Sequence, residues 1–120
     1  VEWATWLEVV YTGRSYDLTV VGHTGRLDPI TLLARYRSDS SENYFNYASD
    51  EVDGLIDAYR SELDEGKRTQ DVQDLQRALA KDVPAVYIQT PVMVYVSRSN
   101  VSGFVQYPID IYEFKDVSVG

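Results

Sequence analysis

The sequence predicts an α/β domain in which a small mixed sheet is flanked by helices. Three observations support this fold class. An apolar, β-branched run from Leu18 to Val21 stops at Gly22 and leads into the pair Asp28-Pro29, which favours a helix start. Two stretches with apolar residues at helical spacing follow. After Pro84 the pattern changes to short β-branched and aromatic runs that are typical of strands.

The first elements are predicted from local spacing. Apolar residues recur at helical intervals from about Ala4 to Thr12, and Gly13 is expected to end that helix in the left-handed conformation. Leu18, Val20 and Val21 predict a strand that is buried on both faces, as in a parallel sheet.

The pair Asp28-Pro29 predicts the next helix. The carboxylate can accept hydrogen bonds from unpaired N–H groups, and the proline ring suits the first turn, so Asp28 is expected to be a helix cap. Leu32, Leu33 and Tyr36 are then expected to face inward.

Two longer amphipathic helices are predicted after an irregular loop at positions 37 to 48. Ser49 and Asp64 are expected to cap them, and the second should end before Pro84, because the residue preceding a proline resists the helical conformation. Their inward positions share a 3.6-residue spacing. These positions are Val52, Leu55, Ile56, Tyr59, Leu63, Val72, Leu75, Ala78 and Leu79.

The last third of the chain predicts strands. Positions 85 to 88 and 92 to 96 are rich in β-branched and aromatic residues, with Thr90-Pro91 between them. No internal repeat interrupts the 120 residues, which suffice for one domain.

Composition excludes several classes of function. Eleven Lys and Arg against nineteen Asp and Glu give a net charge of −8, which argues against nucleic acid and anionic membranes as partners. The absence of cysteine excludes disulfides, thiolate catalysis and cysteine-ligated metals. Because the sequence opens at Val1 without an initiating Met or a signal peptide, we expect a piece of a longer protein whose targeting signal lies upstream.

The turn from Gly22 to Arg26 is the first candidate binding site. Ligands of α/β proteins bind at the carboxyl ends of strands, where loops and helix amino termini present unpaired N–H groups. His23 either contacts a ligand or fills space against the backbone, and Arg26 either contacts a ligand or pairs with a surface acid. Gly22 and Gly25 are expected to permit a tight turn.

Aromatic residues in the following loop form the second candidate. Tyr44, Phe45 and Tyr47 could line an apolar wall of a cleft, or they could pack the loop onto the domain's own core.

Several short motifs follow one another in a distinctive order. They are Tyr16-Asp17-Leu18 before Gly22, Asp28-Pro29, Asn43 with Tyr47, Glu51-Val52-Asp53 with Leu55-Ile56, Arg68, Gln76 with Leu79, Asp82-Val83-Pro84, and Val101-Ser102-Gly103-Phe104. In this order they resemble the carboxyl-terminal part of the extracellular solute-binding proteins, family 5, of peptide and nickel ABC transporters. The resemblance covers nearly the whole chain.

The resemblance implies one lobe of a two-lobed, periplasmic-binding-protein-like fold of type II. Positions 1 to 120 would be a single domain fragment, the carboxyl-terminal portion of that lobe, with about 84 to 120 returning toward the other lobe. The implied function is the substrate-binding component of an ABC transporter, which captures an oligopeptide or similar small polar solute between its lobes for import. The implied partners are the solute, the permease subunits and the amino-terminal lobe, and the implied location is extracytoplasmic, as a periplasmic protein or a lipoprotein anchored at the cell surface.

The resemblance also implies where ligand would be contacted. The positions are His23, Thr24, Gly25, Arg26, Asn43, Tyr44 and Tyr47. His23 stands where many members have Trp, and Arg26 stands where peptide binders often have an acid, so Arg26 disfavours a peptide's free amino terminus and suits a carboxylate or phosphate. No histidine occurs at positions 37 to 48, where nickel-binding relatives use one, and we expect neither a metal nor another cofactor.

A small α/β enzyme or a nucleotide- or phosphate-binding domain is the alternative function. The sequence lacks a cysteine nucleophile, a Gly-Lys-Ser/Thr loop and a second histidine for a Ser-His-Asp arrangement. We therefore expect no catalytic residues. A receiver-like or purely structural interaction module is a third class.

Overall fold

The chain divides into two compact units. The computed structural model describes residues 1–120. Unit 1 comprises Val1–Gly22 and Asp28–Val86, and unit 2 comprises His23–Leu27 and Tyr87–Gly120. All helices lie in unit 1, and both strands lie in unit 2.

Unit 1 contains four helices in chain order. Helix α1, Trp3–Trp6, continues as a π-helical segment, Leu7–Thr12. Helix α2, Ile30–Leu33, continues as a 3₁₀ turn, Ala34–Tyr36. The two long helices are α3, Asp50–Ser61, and α4, Glu65–Asp82. None of them combines the length and the apolar character that a membrane crossing requires.

The predicted caps of the two long helices are confirmed. The Ser49 side chain accepts a hydrogen bond from the backbone N–H of Val52 at 3.4 Å, and Asp64 accepts one from Lys67 at 2.9 Å. Helix α4 ends before Pro84, as expected, with Val83 in the left-handed conformation at φ 53°. The inward position predicted for Leu63 is wrong, because α3 ends at Ser61 and Leu63 is exposed.

The core of unit 1 lies where α3 and α4 pack together. Its buried side chains are Tyr36, Val52, Ile56, Leu75, Ala78 and Leu79, and Leu33 and Leu55 pack against them. A second cluster contains Trp6, Val10 and Tyr44. The apolar stripes read from the sequence therefore meet each other, because an amphipathic helix must bury that face against a neighbour.

The first helix ends differently from the prediction. The Gly13 N–H donates to the Glu8 carbonyl at 2.8 Å, five residues back, which widens the last turns. Gly13 keeps a right-handed φ of −76°, and Arg14 takes the positive φ of 52°. Glycine is needed for space, since a Cβ at position 13 would lie 2.9 Å from the carbonyl oxygens of Glu8 and Val9.

The strand predicted from Leu18 to Val21 is not formed. Leu18 and Val20 are 87% and 73% exposed, and Val21 packs against the cluster around Trp6. A strand requires a neighbouring strand to receive its backbone hydrogen bonds, and this segment has none in unit 1.

Unit 2 contains one two-stranded antiparallel sheet. Strands β1, Val101–Ser102, and β2, Ser118–Val119, pair with Val101 opposite Val119 and Ser102 opposite Ser118. Gly103 follows β1 at φ 80°, and a Cβ there would lie 1.9 Å from the Asp116 carbonyl oxygen, so only glycine fits. The strands predicted at 85 to 88 and 92 to 96 are not formed, because these segments also lack a backbone partner.

Candidate functional site

The predicted binding turn lies in unit 2 and is exposed. His23, Thr24, Gly25 and Arg26 are all accessible to solvent. The Thr24 hydroxyl donates to Asp110 Oδ2 at 3.1 Å, which ties the turn to the last part of the chain. Neither Gly22 nor Gly25 has a positive φ, and a Cβ on Gly25 would make only an ordinary 3.7 Å contact with the Pro108 carbonyl. Residues 22–26 form no hydrogen-bonded turn, so the prediction that Gly22 and Gly25 permit a tight turn is wrong.

Arg26 is the cation of this turn. It forms no ion pair, since every ion pair of the chain involves another Lys or Arg. The surface ion pair that was the alternative role of Arg26 is therefore not formed. An exposed planar guanidinium with unused N–H donors is suited to a carboxylate or phosphate group.

Asn43, one of the ligand contacts that the resemblance implies, is a buried polar side chain at 1% exposure. Its amide Nδ2 donates to the carbonyl oxygens of Arg37, at 3.1 Å, and Tyr47, at 2.7 Å. Its Oδ1 accepts a weaker hydrogen bond from the Tyr47 N–H at 3.4 Å. The buried amide thus closes the loop between α2 and α3 by satisfying backbone groups that would otherwise lack partners.

Tyr44 and Tyr47 pack the loop onto unit 1. Tyr44 is 2% exposed, meets the edge of Trp6 at 5.5 Å between ring centroids and stacks on Phe45 at 4.2 Å. Burial raises the pKa of the Tyr44 hydroxyl. Tyr47 is partly exposed, and its hydroxyl donates to Asp82 Oδ2 at 2.5 Å. The pKa of Tyr47 is raised mainly by burial and secondly by this hydrogen bond. Of the two roles left open by the sequence, packing is the one that these contacts serve.

The seven predicted contacts fall in different units. His23 to Arg26 belong to unit 2, whereas Asn43, Tyr44 and Tyr47 belong to unit 1. Within unit 1, Asn43 is hydrogen-bonded to the Tyr47 carbonyl oxygen. Their role toward a ligand stays a prediction.

A polar network holds Asp28, two residues after Arg26. Asp28 Oδ1 accepts hydrogen bonds from the Ile30 N–H at 3.1 Å and the Tyr59 hydroxyl at 2.9 Å. The residue at the N-cap of α2 is Pro29, one position later than predicted, and the Asp28 carboxylate still binds the first N–H of the helix from there. The Arg68 guanidinium lies over the Tyr59 ring at 4.6 Å and reaches Asp28 Oδ2 at 3.9 Å. Burial, and then the bond to Asp28, raise the pKa of Tyr59. The start of α2 is thereby attached to both α3 and α4.

The sequence reasoning missed an open cleft within unit 1. It has a volume of about 660 Å³ and is lined by α2 with its 3₁₀ turn, by the loop at positions 37 to 42 and by α3. Its charged lining consists of Arg35, Arg37, Asp39, Glu42, Asp57 and Arg60. In the sequence, the cleft is marked only by several Arg and Ser residues after α2, and such a composition is also typical of an ordinary surface loop. No three His, Asp or Glu side chains of the chain are grouped so that they could hold a metal ion.

The chain is similar to known proteins in fold and in sequence. No family model matches the chain. Among solved structures, the pheromone receptor PrgZ, whose structure and mode of peptide binding have been described, matches 100% of this chain with a TM-score of 0.74 and 19% sequence identity. The chain therefore has the fold of part of that receptor.

A sequence relative agrees with this assignment. The dipeptide-binding protein DppE of Bacillus subtilis (strain 168) is 26% identical over 88 residues, which is 73% of this chain. The resemblance predicted from the sequence is therefore confirmed, as is the fold class. The chain spans 16% of the length of DppE and 23% of the PrgZ chain.

Proposed function

We propose that this chain is part of the substrate-binding component of an ABC transporter, which captures a peptide or similar small polar solute for import. The observation that carries the proposal is the match of the whole chain to the fold of a peptide-binding receptor. The sequence relative, a dipeptide-binding protein, supports the same ligand class. Both relatives are named as binding proteins, so the proposed activity is binding without catalysis.

In this proposal the chain supplies the carboxyl-terminal portion of one lobe, and the segment from about 84 to 120 returns toward the other lobe. The separation of Tyr87–Gly120, together with His23–Leu27, from the unit that holds the helices supports this division. Ligand would be captured as the two lobes close, because contacts from both sides favour the closed state. The proposed partners are the permease subunits and the amino-terminal lobe, and the proposed location is extracytoplasmic, either periplasmic or lipid-anchored at the cell surface.

The proposed ligand contacts divide into two groups by exposure. His23, Thr24, Gly25 and Arg26 are accessible and would touch the solute directly. In the loop, the partly exposed Tyr47 would contact it at the surface, whereas Asn43 and Tyr44 would set the position of the loop backbone.

The charge of Arg26 makes the proposal testable. In the full-length protein, Arg26→Glu should weaken binding of peptides with acidic side chains by about tenfold or more, because a cation that faces a carboxylate is replaced by an anion; tenfold corresponds to about 1.4 kcal/mol. Calorimetric titration with matched acidic, neutral and basic peptides measures this change.

Arg98→Glu is the matched control. Arg98 is another exposed arginine of unit 2 without an ion pair, so its replacement changes the net charge by the same amount. Identical peptide profiles for wild type and Arg26→Glu would remove Arg26 from the site. Failure of the wild-type protein to bind any peptide would contradict the proposed function itself.

A further inference from the structure

We propose that residues 92–96 form a strand in the full-length protein, where the amino-terminal lobe supplies the neighbouring strand and covers one apolar side of the segment. That side consists of Val92, Val94 and Val96 and is called the valine face. The inference rests on the proposed function, because it takes this chain to be part of a longer, two-lobed receptor. It assigns the surface of unit 2 that contacts the rest of that receptor.

The valine face is apolar and open to solvent. Val92, Val94 and Val96 are 86%, 78% and 91% exposed, whereas Met93 is 52% exposed and Tyr95 is partly buried. This alternation has the two-residue period of a β-strand, in which every second side chain lies on the same side. Single exposed apolar side chains are normal on a protein surface, but a row of three β-branched side chains on one side indicates a contact surface.

The opposite side of the segment already packs on unit 2. The Tyr95 ring centroid lies 5.7 Å from that of Phe104 and 6.1 Å from that of Tyr112. The Gln106 amide Nε2 donates to the Met93 carbonyl oxygen at 3.2 Å. Unit 2 therefore holds one side of the segment and leaves the valine face for a partner.

The backbone of the segment also lacks a partner strand. No backbone–backbone hydrogen bond involves residues 92–96, although β-branched and aromatic side chains favour pairing in a sheet. Strands that stay at a solvent-exposed edge usually carry charged side chains that prevent further pairing. Positions 83 to 97 contain no charged residue, although charged residues make up 25% of the chain. The composition therefore suits a strand inside a sheet, next to an apolar partner.

The amino-terminal lobe is favoured over a second copy of the chain as this partner. The chain matches 23% of the PrgZ chain, so most of a receptor of that length lies outside the matched part and can cover the valine face. A partner in the same polypeptide is present at a high effective concentration. Two copies of this chain, each with a net charge of −8, would repel each other.

The experiment compares the Val94→Cys and Leu63→Cys variants of the full-length protein. Each variant is labelled with a maleimide under native conditions and in urea, and the labelled peptide is quantified by mass spectrometry. Leu63 is the control, since it is 94% exposed and lies between the acidic residues Glu62 and Asp64, outside the helices. Native labelling should be slower than labelling in urea by about tenfold or more at position 94, and the two rates should be similar at position 63.

Photo-methionine at Met93, the one methionine of these 120 residues, identifies the partner. Peptides that contain position 93 should be cross-linked to residues of the same molecule outside positions 1–120. Equally fast native labelling at positions 94 and 63, absence of cross-links outside positions 1–120, or cross-links between two molecules would each overturn the proposal.

Peptide titration of the wild-type protein tests the proposed function separately. A protein that protects position 94 but binds no peptide would contradict the proposed function alone. A protein that binds peptide while position 94 is labelled freely would contradict the proposed contact surface alone.

Discussion

Asn43→Ala separates a structural role of the loop from a ligand-binding role. The substitution removes two donated hydrogen bonds, at 3.1 and 2.7 Å, and one accepted bond at 3.4 Å, which lies near the limit for such a contact. Each well-formed bond contributes about 1 kcal/mol net, and the carbonyl oxygens of Arg37 and Tyr47 would lose buried partners. We therefore expect the free energy of unfolding to fall by about 2–3 kcal/mol.

Urea denaturation of the full-length protein, followed by circular dichroism, measures the change. Asn43→Asp is an informative second variant, because it keeps the shape of the side chain but cannot donate to the two carbonyl oxygens when ionised. It should be at least as destabilising as the alanine variant at neutral pH. Gln73→Ala is the matched control, since it removes an exposed amide from α4 and should change stability by less than about 0.5 kcal/mol.

One result would refute this account of Asn43. If Asn43→Ala unfolded at the wild-type urea concentration yet bound peptide much more weakly, the amide would serve the ligand and not the loop. If stability and affinity fell together, titration under conditions where the variant is fully folded would separate the two effects.

Two further predictions concern hydrogen bonds at the helix ends. Tyr59→Phe removes the hydroxyl that donates to Asp28 at 2.9 Å and should cost about 0.5–1.5 kcal/mol in urea denaturation; unchanged stability would mean that other contacts suffice to hold Asp28. The Asp64 N–H donates to the Glu62 carboxylate at 2.9 Å and lowers the pKa of Glu62 below its ordinary value of 4.5. This hydrogen bond therefore stabilises the folded state fully above pH 4.5, and its contribution is lost as the pH falls through the lowered pKa of Glu62. Glu62→Gln should therefore flatten the decline of stability on acidification, and parallel curves for variant and wild type would contradict this cause.

The long helices could be predicted from the sequence because their signals are local. Ser49 and Asp64 cap helices within three residues of themselves, and Pro84 acts on the residue beside it. The 3.6-residue spacing of Ile56, Leu75 and their neighbours identified most of the core, since those side chains have only to face a second helix.

The strands could not be placed in the same way. Residues 18–21 and 92–96 have strand composition, but whether a segment forms a strand depends on a backbone partner elsewhere in space. The structure pairs only Val101–Ser102 with Ser118–Val119, two short segments that composition does not distinguish from their surroundings.

The candidate site shows the same division. Sequence alone indicated the exposed turn at His23 to Arg26 and the importance of the loop that holds Asn43, because glycine, proline and aromatic patterns mark such segments. Only the tertiary structure decided that Asn43 and Tyr44 are buried and that Arg35, Arg37 and Arg60 share a cleft. Burial and ion pairing depend on residues that are distant in the chain, and folding alone brings these residues within hydrogen-bonding distance of one another.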